Sequence, residues 1–236
     1  MTQRGLLLAA CVGALYLRLA RRAILTWGAT SAEGEARLPG DELLEDANGV
    51  ATRAITIEAP AGCVWPWIAE MGPAPRGGAF TYDWSENLLG LDMHSVDRVL
   101  SDFQHPQAGE VIGYGSNRMR VERVQEAEVL AWRSQDGNWV WSFVLQDEGE
   151  KTRLISRNRF RLPSIAARVG MLAMEPASLV MERKMVLGIK QRAERLATER
   201  GEGSPPQRYA GHRHELRRQD RPQPRALCPG GRGARP

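Results

Sequence analysis

The chain has 236 residues, of which 42% are hydrophobic, 25% are charged and three are cysteines. This length suits one well-packed domain with extensions. The composition excludes a collagen-like repeat, a disulfide-stapled scaffold and a wholly disordered chain, because the glycines show no period, the cysteines are few and the apolar content suffices for a core.

The formal net charge of +4 is unevenly distributed along the chain. Residues 1–27 contain four arginines and no acidic residue, and residues 200–236 contain nine arginines and three acidic residues. Residues 28–199 instead contain 19 basic and 25 acidic residues. The central part of the chain is therefore acidic, and we expect no specific nucleic-acid partner.

An uncharged apolar run at residues 5–17 lies between Arg4 and Arg18. It is shorter than the roughly 20 residues that span a bilayer, but Arg18 could reach the headgroups and let the helix extend further. We predict an apolar helix over residues 1–27 that anchors the chain to a membrane through residues 5–27, with the domain on the cytoplasmic side. A signal-like segment and an extension of a soluble cytoplasmic protein are the alternatives.

Residues 28–49 are acidic and rich in turn-forming residues, which predicts a surface segment that leads into the domain. We call residues 28–49 the lead-in. The alternation of residues 51–59 then predicts a strand with Ile55 and Ile57 on one face.

Two short helices are predicted next. Apolar residues at helical spacing over 64–71 predict the first, and Pro66 limits its length because proline is tolerated only in a first turn. Residues 82–89 predict the second, with Asp83 near its start, where a carboxylate favours the helix dipole.

Alternating or short apolar segments predict a run of antiparallel strands after these helices. The turn at residues 146–151 indicates that the last two strands form a hairpin. The predicted strands cover residues 110–114, 118–124, 129–133, 138–145 and 152–160.

The helical region that follows Pro163 contains a long amphipathic helix over residues 178–197. We therefore place the domain at residues 50–198. Residues 199–236 are rich in arginine, proline and glycine and are predicted to be disordered, because they hold too few apolar residues to offset the entropy of ordering.

The order of elements predicts an α+β fold in which an antiparallel sheet wraps around the long final helix and can leave a cavity between them.

Aromatic residues on one strand face are the first candidates for a binding site. Trp139, Trp141 and Phe143 share a face by the two-residue period, with Trp132 and Trp67 as neighbours. They would contact an apolar ligand if the domain is hollow, and they would form an ordinary core if it is not.

Three arginines on the last strand, Arg153, Arg157 and Arg159, share a face that we expect to point outward. An inward-turned arginine would need an acid or the anionic head of a ligand as its partner. Arg157 is the best candidate for that role because it lies in the middle of the strand.

Polar and aromatic residues are densest in the second predicted helix. Tyr82, Trp84 and Glu86 would lie at a pocket mouth if that helix borders a cavity, and Tyr82, Glu86 and the nearby His94 are the candidate acid–base groups. A capped helix with surface carboxylates and packed rings is the alternative.

The chain contains no phosphate-binding loop, no nucleophile elbow and no His or Cys spacing typical of a metal site, so we expect no metal and no cofactor.

Several segments make the sequence similar to the bacterial branch of the START-like superfamily, also described as polyketide cyclase/dehydrase-like or SRPBCC proteins, which share the helix-grip fold of Bet v 1. The resemblance covers about residues 27–197, and the branch is mostly of unknown function. The segments are WGAT at 27–30, LPGDEL at 38–43, TRAITIEAP at 52–60, VWPWIAEMG at 64–72, RGGAFTYDWSENLLG at 76–90 and MERKMVLGIKQRAE at 181–194.

The resemblance implies a deep apolar pocket between the sheet and the C-terminal helix, and Met181 and Met185 of that helix then become candidate ligand contacts. It also implies an apolar segment before the WGAT string. Some distant members are cyclases or dehydratases, but no catalytic motif of theirs matches here residue by residue.

We interpret the chain as a protein that binds a hydrophobic small molecule, such as a lipid or a polyketide-like compound, rather than as an enzyme. One alternative is a cyclase or dehydratase that acts on a polyketide-like substrate. The other is a non-catalytic regulatory protein at the membrane.

Overall fold

The computed structural model describes residues 20–113 and 118–203, together with Gly5, Gly13 and Gly115. Six antiparallel strands form one sheet in the order β1-β6-β5-β4-β3-β2. The strands are β1 (Gly49–Ile57), β2 (Val111–Ile112), β3 (Met119–Gln125), β4 (Val129–Ser134), β5 (Trp139–Asp147) and β6 (Thr152–Phe160). The helices are α1 (Arg21–Leu25), α2 (Ser31–Glu35), α3 (Ala61–Ala69), α4 (Asp83–Leu88) and α5 (Ile165–Gly203), with short 3-10 turns at Asp41–Leu44 and Ser101–Phe103.

The hairpin β5–β6 forms the centre of the sheet and pairs along nine residues, from Trp139 opposite Phe160 to Asp147 opposite Thr152. Successive side chains point to opposite faces. Phe143 and Leu154 are buried towards α5, on what we call the inner face. On the opposite, outer face, residues such as Val144 and Ile155 form a second cluster. The predicted α+β arrangement, with an antiparallel sheet around a long C-terminal helix, is confirmed.

Helix α5 crosses the inner face and closes the main core together with α3. Val186, Ile189 and Ala193 of its predicted apolar stripe are buried against residues such as Ile68. The helix has 39 residues. It begins at Ile165, within the helical region predicted after Pro163 and before the amphipathic stretch predicted from 178, and it continues past the predicted domain end at 198.

Helix α3 contains Pro66 beyond its first turn, which differs from our prediction. Proline lacks an N–H, so the carbonyl of Gly62 four residues earlier has no helical donor. The Arg200 side chain of α5 donates to that carbonyl at 3.1 Å. A contact with a distant residue therefore satisfies the group that the proline leaves unpaired.

The lead-in packs on the outer face of the sheet. Leu38 and Leu44 are buried, and Leu38 joins the cluster that contains Val144 and Ile155. Gly28 passes so close to β1 that a Cβ would lie 2.1 Å from the carbonyl oxygen of Ala54, so only glycine fits there. The lead-in thus packs on the sheet through a few buried residues, while most of its residues lie at the surface.

The predicted ends of the chain fall mostly outside the described residues. Residues 1–19, apart from two glycines, and the predicted disordered segment from residue 204 onward lie outside them. Of the predicted apolar helix, the structure describes α1, which has five residues and includes two arginines. Across the described part of the chain, none of the helices combines the length and the apolar character needed to cross a membrane.

Candidate ligand-binding cavity

A cavity of about 520 Å³ lies between the inner face of the sheet and α5, with α4 and its following loop at one side. Gly90, Arg118 and Asp136 line it and are exposed, so they mark its mouth. Most of the wall is apolar. The large apolar residues of the wall are Met71, Leu91, Met93, Ile112, Met119, Trp132, Trp139, Trp141, Phe160, Met181 and Met185.

Aromatic rings from three neighbouring strands form one continuous surface of this wall. Trp139 lies opposite Phe160 and Trp141 lies opposite Trp132 in the strand register. The Trp139 ring stacks on Trp141 with 5.7 Å between centroids and on Phe160 with 5.9 Å, both at 18°. Trp132 meets Trp141 edge to face at 5.6 Å. The cavity therefore has a broad aromatic side built by cross-strand pairs.

The indole N–H groups of two of these rings have acceptors on β6. Trp139 donates to the Asn158 side chain at 2.8 Å, and Trp141 donates to Ser156 Oγ at 2.9 Å. These bonds fix the ring orientations and satisfy polar groups that burial would otherwise leave unpaired. The aromatic wall is thus rigid and is connected directly to polar residues of the neighbouring strand.

A buried carboxylate, Glu182, lies on the helix side of the cavity. It forms an ion pair with Arg53 of β1 and accepts hydrogen bonds from Ser156 Oγ at 2.6 Å and Asn158 Nδ2 at 3.2 Å. Arg53 also donates to Ser178 Oγ at 3.2 Å. Burial raises the pKa of Glu182, whereas Arg53 and Ser156 act to lower it. Because the carboxylate is paired with an arginine, this corner of the wall is polar and electrically balanced.

A second carboxylate, Glu86 of α4, lines the cavity from the other side. Its pKa is raised chiefly by burial and further by the nearby charge of Asp83, and the Thr81 hydroxyl acts in the opposite direction. Among the described residues, Glu86 has no cationic partner. The cavity therefore presents a carboxyl group with a raised pKa and no cationic partner among the described residues.

The predicted ligand contacts divide between the cavity wall and other places. Those on the wall are Trp132, Trp139, Trp141, Met181 and Met185. Trp67 and Phe143 lie deeper, in the packed core, where Trp67 meets Phe80 edge to face at 6.1 Å. Tyr82 and Trp84 are exposed on α4 and do not line the cavity, because the helix turns Glu86 rather than its aromatic rings inward.

Of the three candidate acid–base groups, only Glu86 lines the cavity. His94 is exposed and its Nε2 lies 2.9 Å from the Asp92 carboxylate. Tyr82, at the N-terminal boundary of α4, is also exposed. The structure therefore does not bring the three groups together.

Arg157 lies on the outer face of the sheet, on the side opposite the cavity. It forms an ion pair with Asp41 at 2.7 Å and donates to the carbonyl of Ala36 at 2.7 Å. Arg153 pairs with Glu33 at 2.8 Å, and Arg159 donates to the carbonyl of Leu44 at 3.1 Å. The three arginines thus lie on the outward face, as expected, and hold the lead-in on the sheet. The alternative that Arg157 turns inward and binds a ligand is corrected, because its partner is the Asp41 carboxylate on the outer face.

Sequence reasoning missed the polar corner formed by Arg53, Glu182, Asn158 and Ser178. Two signals could have identified it. Arg53 shares the strand face of Ile55 and Ile57, and a charged residue on a buried apolar face needs a partner there. Glu182 likewise lies between Met181 and Met185 on the buried side of α5.

Comparisons with known proteins give structural similarities at low sequence identity. No protein-family model matches this sequence, and no functionally curated protein is significantly similar to it. A polyketide-cyclase-like protein from Corynebacterium glutamicum is 16% identical, with 70% of this chain and 97% of that chain covered and a TM-score of 0.34. A protein from Nitrosomonas europaea is 12% identical, with 67% and 99% covered and a TM-score of 0.44. CalU16 from Micromonospora echinospora is 16% identical, with 65% and 83% covered and a TM-score of 0.32.

The fold is established by this chain's own topology. The sheet order places the first strand beside the last, and the C-terminal helix crosses the inner face of the sheet and bounds a cavity there. The cavity between the sheet and this helix is the feature that the sequence resemblance implied. The chain therefore has the α+β helix-grip fold of START-like proteins.

Proposed function

We propose that this protein binds a single hydrophobic small molecule, a lipid or a polyketide-like compound, in the cavity between the sheet and α5. The observation that carries this proposal is a cavity of about 520 Å³ whose wall is mainly tryptophan, methionine and other apolar side chains. Small-molecule sites typically measure about 300–1,000 Å³ and combine an apolar wall with a few polar groups.

The two sides of the cavity support different parts of such a ligand. The stacked faces of Trp139 and Trp141 suit flat rings or an extended acyl chain, and the flexible Met181 and Met185 can adjust to its shape. The polar corner around Glu182 suits a hydroxyl or other uncharged polar group. The ligand class is therefore an apolar molecule with a small polar end.

Binding without catalysis fits the wall better than a cyclase or dehydratase reaction does. Such a reaction needs a positioned acid and base, and Glu86 is the one group among Tyr82, Glu86 and His94 that lines the cavity. Glu86 alone supports polar recognition of a ligand rather than a catalytic pair.

Native mass spectrometry of the purified full chain, before and after organic extraction, tests the proposal directly. We expect a bound species of lipid-like mass that extraction removes, and one equivalent of the fluorescent polyene cis-parinaric acid to bind the extracted protein. A protein that holds no such species and does not bind the probe would contradict the proposal.

The variant Met181→Trp locates the binding site, because a larger side chain on the wall reduces the cavity volume. We expect it to weaken probe binding by at least about tenfold, which corresponds to 1.4 kcal/mol. Ala173→Trp is the matched control, since residue 173 is exposed on the same helix and does not line the cavity. Equal probe binding by both folded variants would place the probe outside this cavity.

A further inference from the structure

The mouth of the cavity is bordered by exposed apolar side chains on α4. Leu88 and Leu89 directly precede Gly90 at the mouth, and their exposed fractions are 81% and 75%. Trp84, one turn earlier, is 73% exposed. Large apolar side chains this exposed and this close together indicate an interaction surface.

Helix α5 adds a fourth apolar side chain on its cavity side. Met174 is 59% exposed and lies seven residues before Met181, two turns or about 10 Å along the same helix face. Met181 lines the cavity, and its sulfur lies 3.6 Å from Ser85 Oγ of α4. The two helices therefore meet beside the cavity, and we call Trp84, Leu88, Leu89 and Met174 the apolar rim.

The acidic residues of these two helix segments are turned away from the surface. Asp83 accepts hydrogen bonds from Ser95 at 2.7 and 2.6 Å, and Glu86 faces the cavity. Glu175 and Glu182 are buried and paired with Arg21 and Arg53 respectively. The exposed charged residues of α5 between 165 and 184 are Arg168, Arg183 and Lys184. In a domain that is acidic overall, these two helix segments therefore carry exposed positive charge only, and the mouth beside them adds one exposed residue of each sign, Arg118 and Asp136.

We propose that the apolar rim docks on an anionic lipid bilayer, so that the mouth of the cavity faces the membrane. Tryptophan and leucine side chains favour the bilayer interface, and nearby basic residues add electrostatic attraction to an anionic surface. A water-insoluble ligand would then pass between bilayer and cavity without crossing bulk water. This docking surface is formed by α4 and α5, and it is distinct from the apolar run at residues 5–17.

Co-sedimentation of the full chain with vesicles tests the docking surface. The vesicles contain phosphatidylcholine alone or phosphatidylcholine with about 30% phosphatidylglycerol. We expect sedimentation with the anionic vesicles, less with the neutral ones, and a loss of at least about fivefold in affinity for the double variant Trp84→Ser, Leu88→Ser. Val50→Ser on the outer face of β1 is the matched control, and its affinity should equal that of the wild type.

The variant Arg168→Gln tests separately what the basic residues contribute to vesicle binding. Arg37→Gln on the lead-in is its control. Only the former should lower affinity for anionic vesicles, and it should weaken the salt dependence. Wild-type affinity of the rim variant would overturn the proposal, because binding would then come from another segment. A vesicle-free dimer that the rim variant dissociates would also overturn it, because a second copy would then cover the rim.

Cavity binding is measured on the same rim variants with cis-parinaric acid. Neither Trp84 nor Leu88 lines the cavity, so probe binding and melting temperature should match those of the wild type. Loss of vesicle binding with intact probe binding supports the docking surface. A wild-type chain that binds the probe but not vesicles overturns the docking proposal and leaves the proposed function standing.

Discussion

Arg157 and Asp41 form a buried ion pair on the outer face of the sheet, with 2.7 Å between Nη1 and Oδ2. The two residues are 116 positions apart, and the same guanidinium also donates to Thr52 Oγ1 of β1 at 3.1 Å. Arg157 therefore connects the lead-in, β1 and β6 at one point. Its function is to hold the lead-in on the sheet.

Removal of one partner of this pair should be strongly destabilising. Arg157→Met leaves the Asp41 carboxylate buried without its closest cation, and such a change typically costs about 3–5 kcal/mol. Urea denaturation of the purified variant measures the loss in the free energy of unfolding. The double variant Arg157→Met, Asp41→Leu should lose clearly less than the sum of the two single variants.

An exposed pair provides the control for that experiment. Arg37 and Glu45 lie 2.8 Å apart, with side chains that are each 71% exposed. Arg37→Ala should therefore change the free energy of unfolding by no more than about 0.5 kcal/mol. Similar losses for the two arginine variants would contradict the anchoring role of Arg157.

Glu33 makes the stability of the lead-in depend on acid. Hydrogen bonding to Arg153 lowers the pKa of Glu33 from 4.5 to about 2. A carboxylate with a depressed pKa stabilises the folded state above its unfolded pKa, and this contribution is lost as the pH falls from about 4.5 to about 2. We expect Glu33→Gln to cost about 1–2 kcal/mol at pH 7, after allowance for partial exposure, and close to nothing near pH 2.

Denaturation curves of Glu33→Gln and the wild type between pH 7 and pH 2 check this prediction. Glu35→Gln on the same short helix is the control, since Glu35 is exposed. If the difference in the free energy of unfolding between the wild type and Glu33→Gln stays constant over the acid range, Glu33 is not the source of the acid dependence.

Glu86 should make ligand binding stronger at low pH, whereas Glu33 makes the lead-in less stable there. Burial raises the pKa of Glu86, and an apolar ligand beside it would exclude more water and raise that pKa further. Protonation therefore favours the complex, so affinity should decrease as the pH rises through the pKa of Glu86. Titrations with cis-parinaric acid methyl ester, which has no carboxylate of its own, should show about three- to tenfold weaker binding at pH 8 than at pH 5.

The variant Glu86→Gln isolates the carboxyl group in that experiment. Its affinity for the ester should be nearly independent of pH, whereas Asp97→Asn, outside the cavity, should behave as the wild type does. The same pH dependence in Glu86→Gln as in the wild type would assign the effect to another group.

Local patterns in the sequence determined most of the secondary structure. The strand predicted at residues 152–160 forms β6 with the same bounds, because the turn before it returns the chain as the hairpin partner of β5. The stripe of Val186, Ile189 and Ala193 likewise predicted the buried part of α5. The helical region predicted after Pro163 includes the first half of α5, but the amphipathic pattern begins only at 178, since residues 165–180 are largely exposed and apolar and show no amphipathic period.

Tertiary structure alone decided which side chains form the cavity. The two-residue period placed Trp139, Trp141 and Phe143 on one face, but the position of α5 and α3 over that face leaves the first two on the cavity wall and Phe143 in the core. Arg53 and Glu182 are 129 positions apart, and the fold brings them into contact. A local pattern shows which residues share a face but contains no information about what will cover it. The sequence by itself therefore determined the elements and the faces of this protein, and only long-range packing decided which face encloses a ligand and which face holds the lead-in.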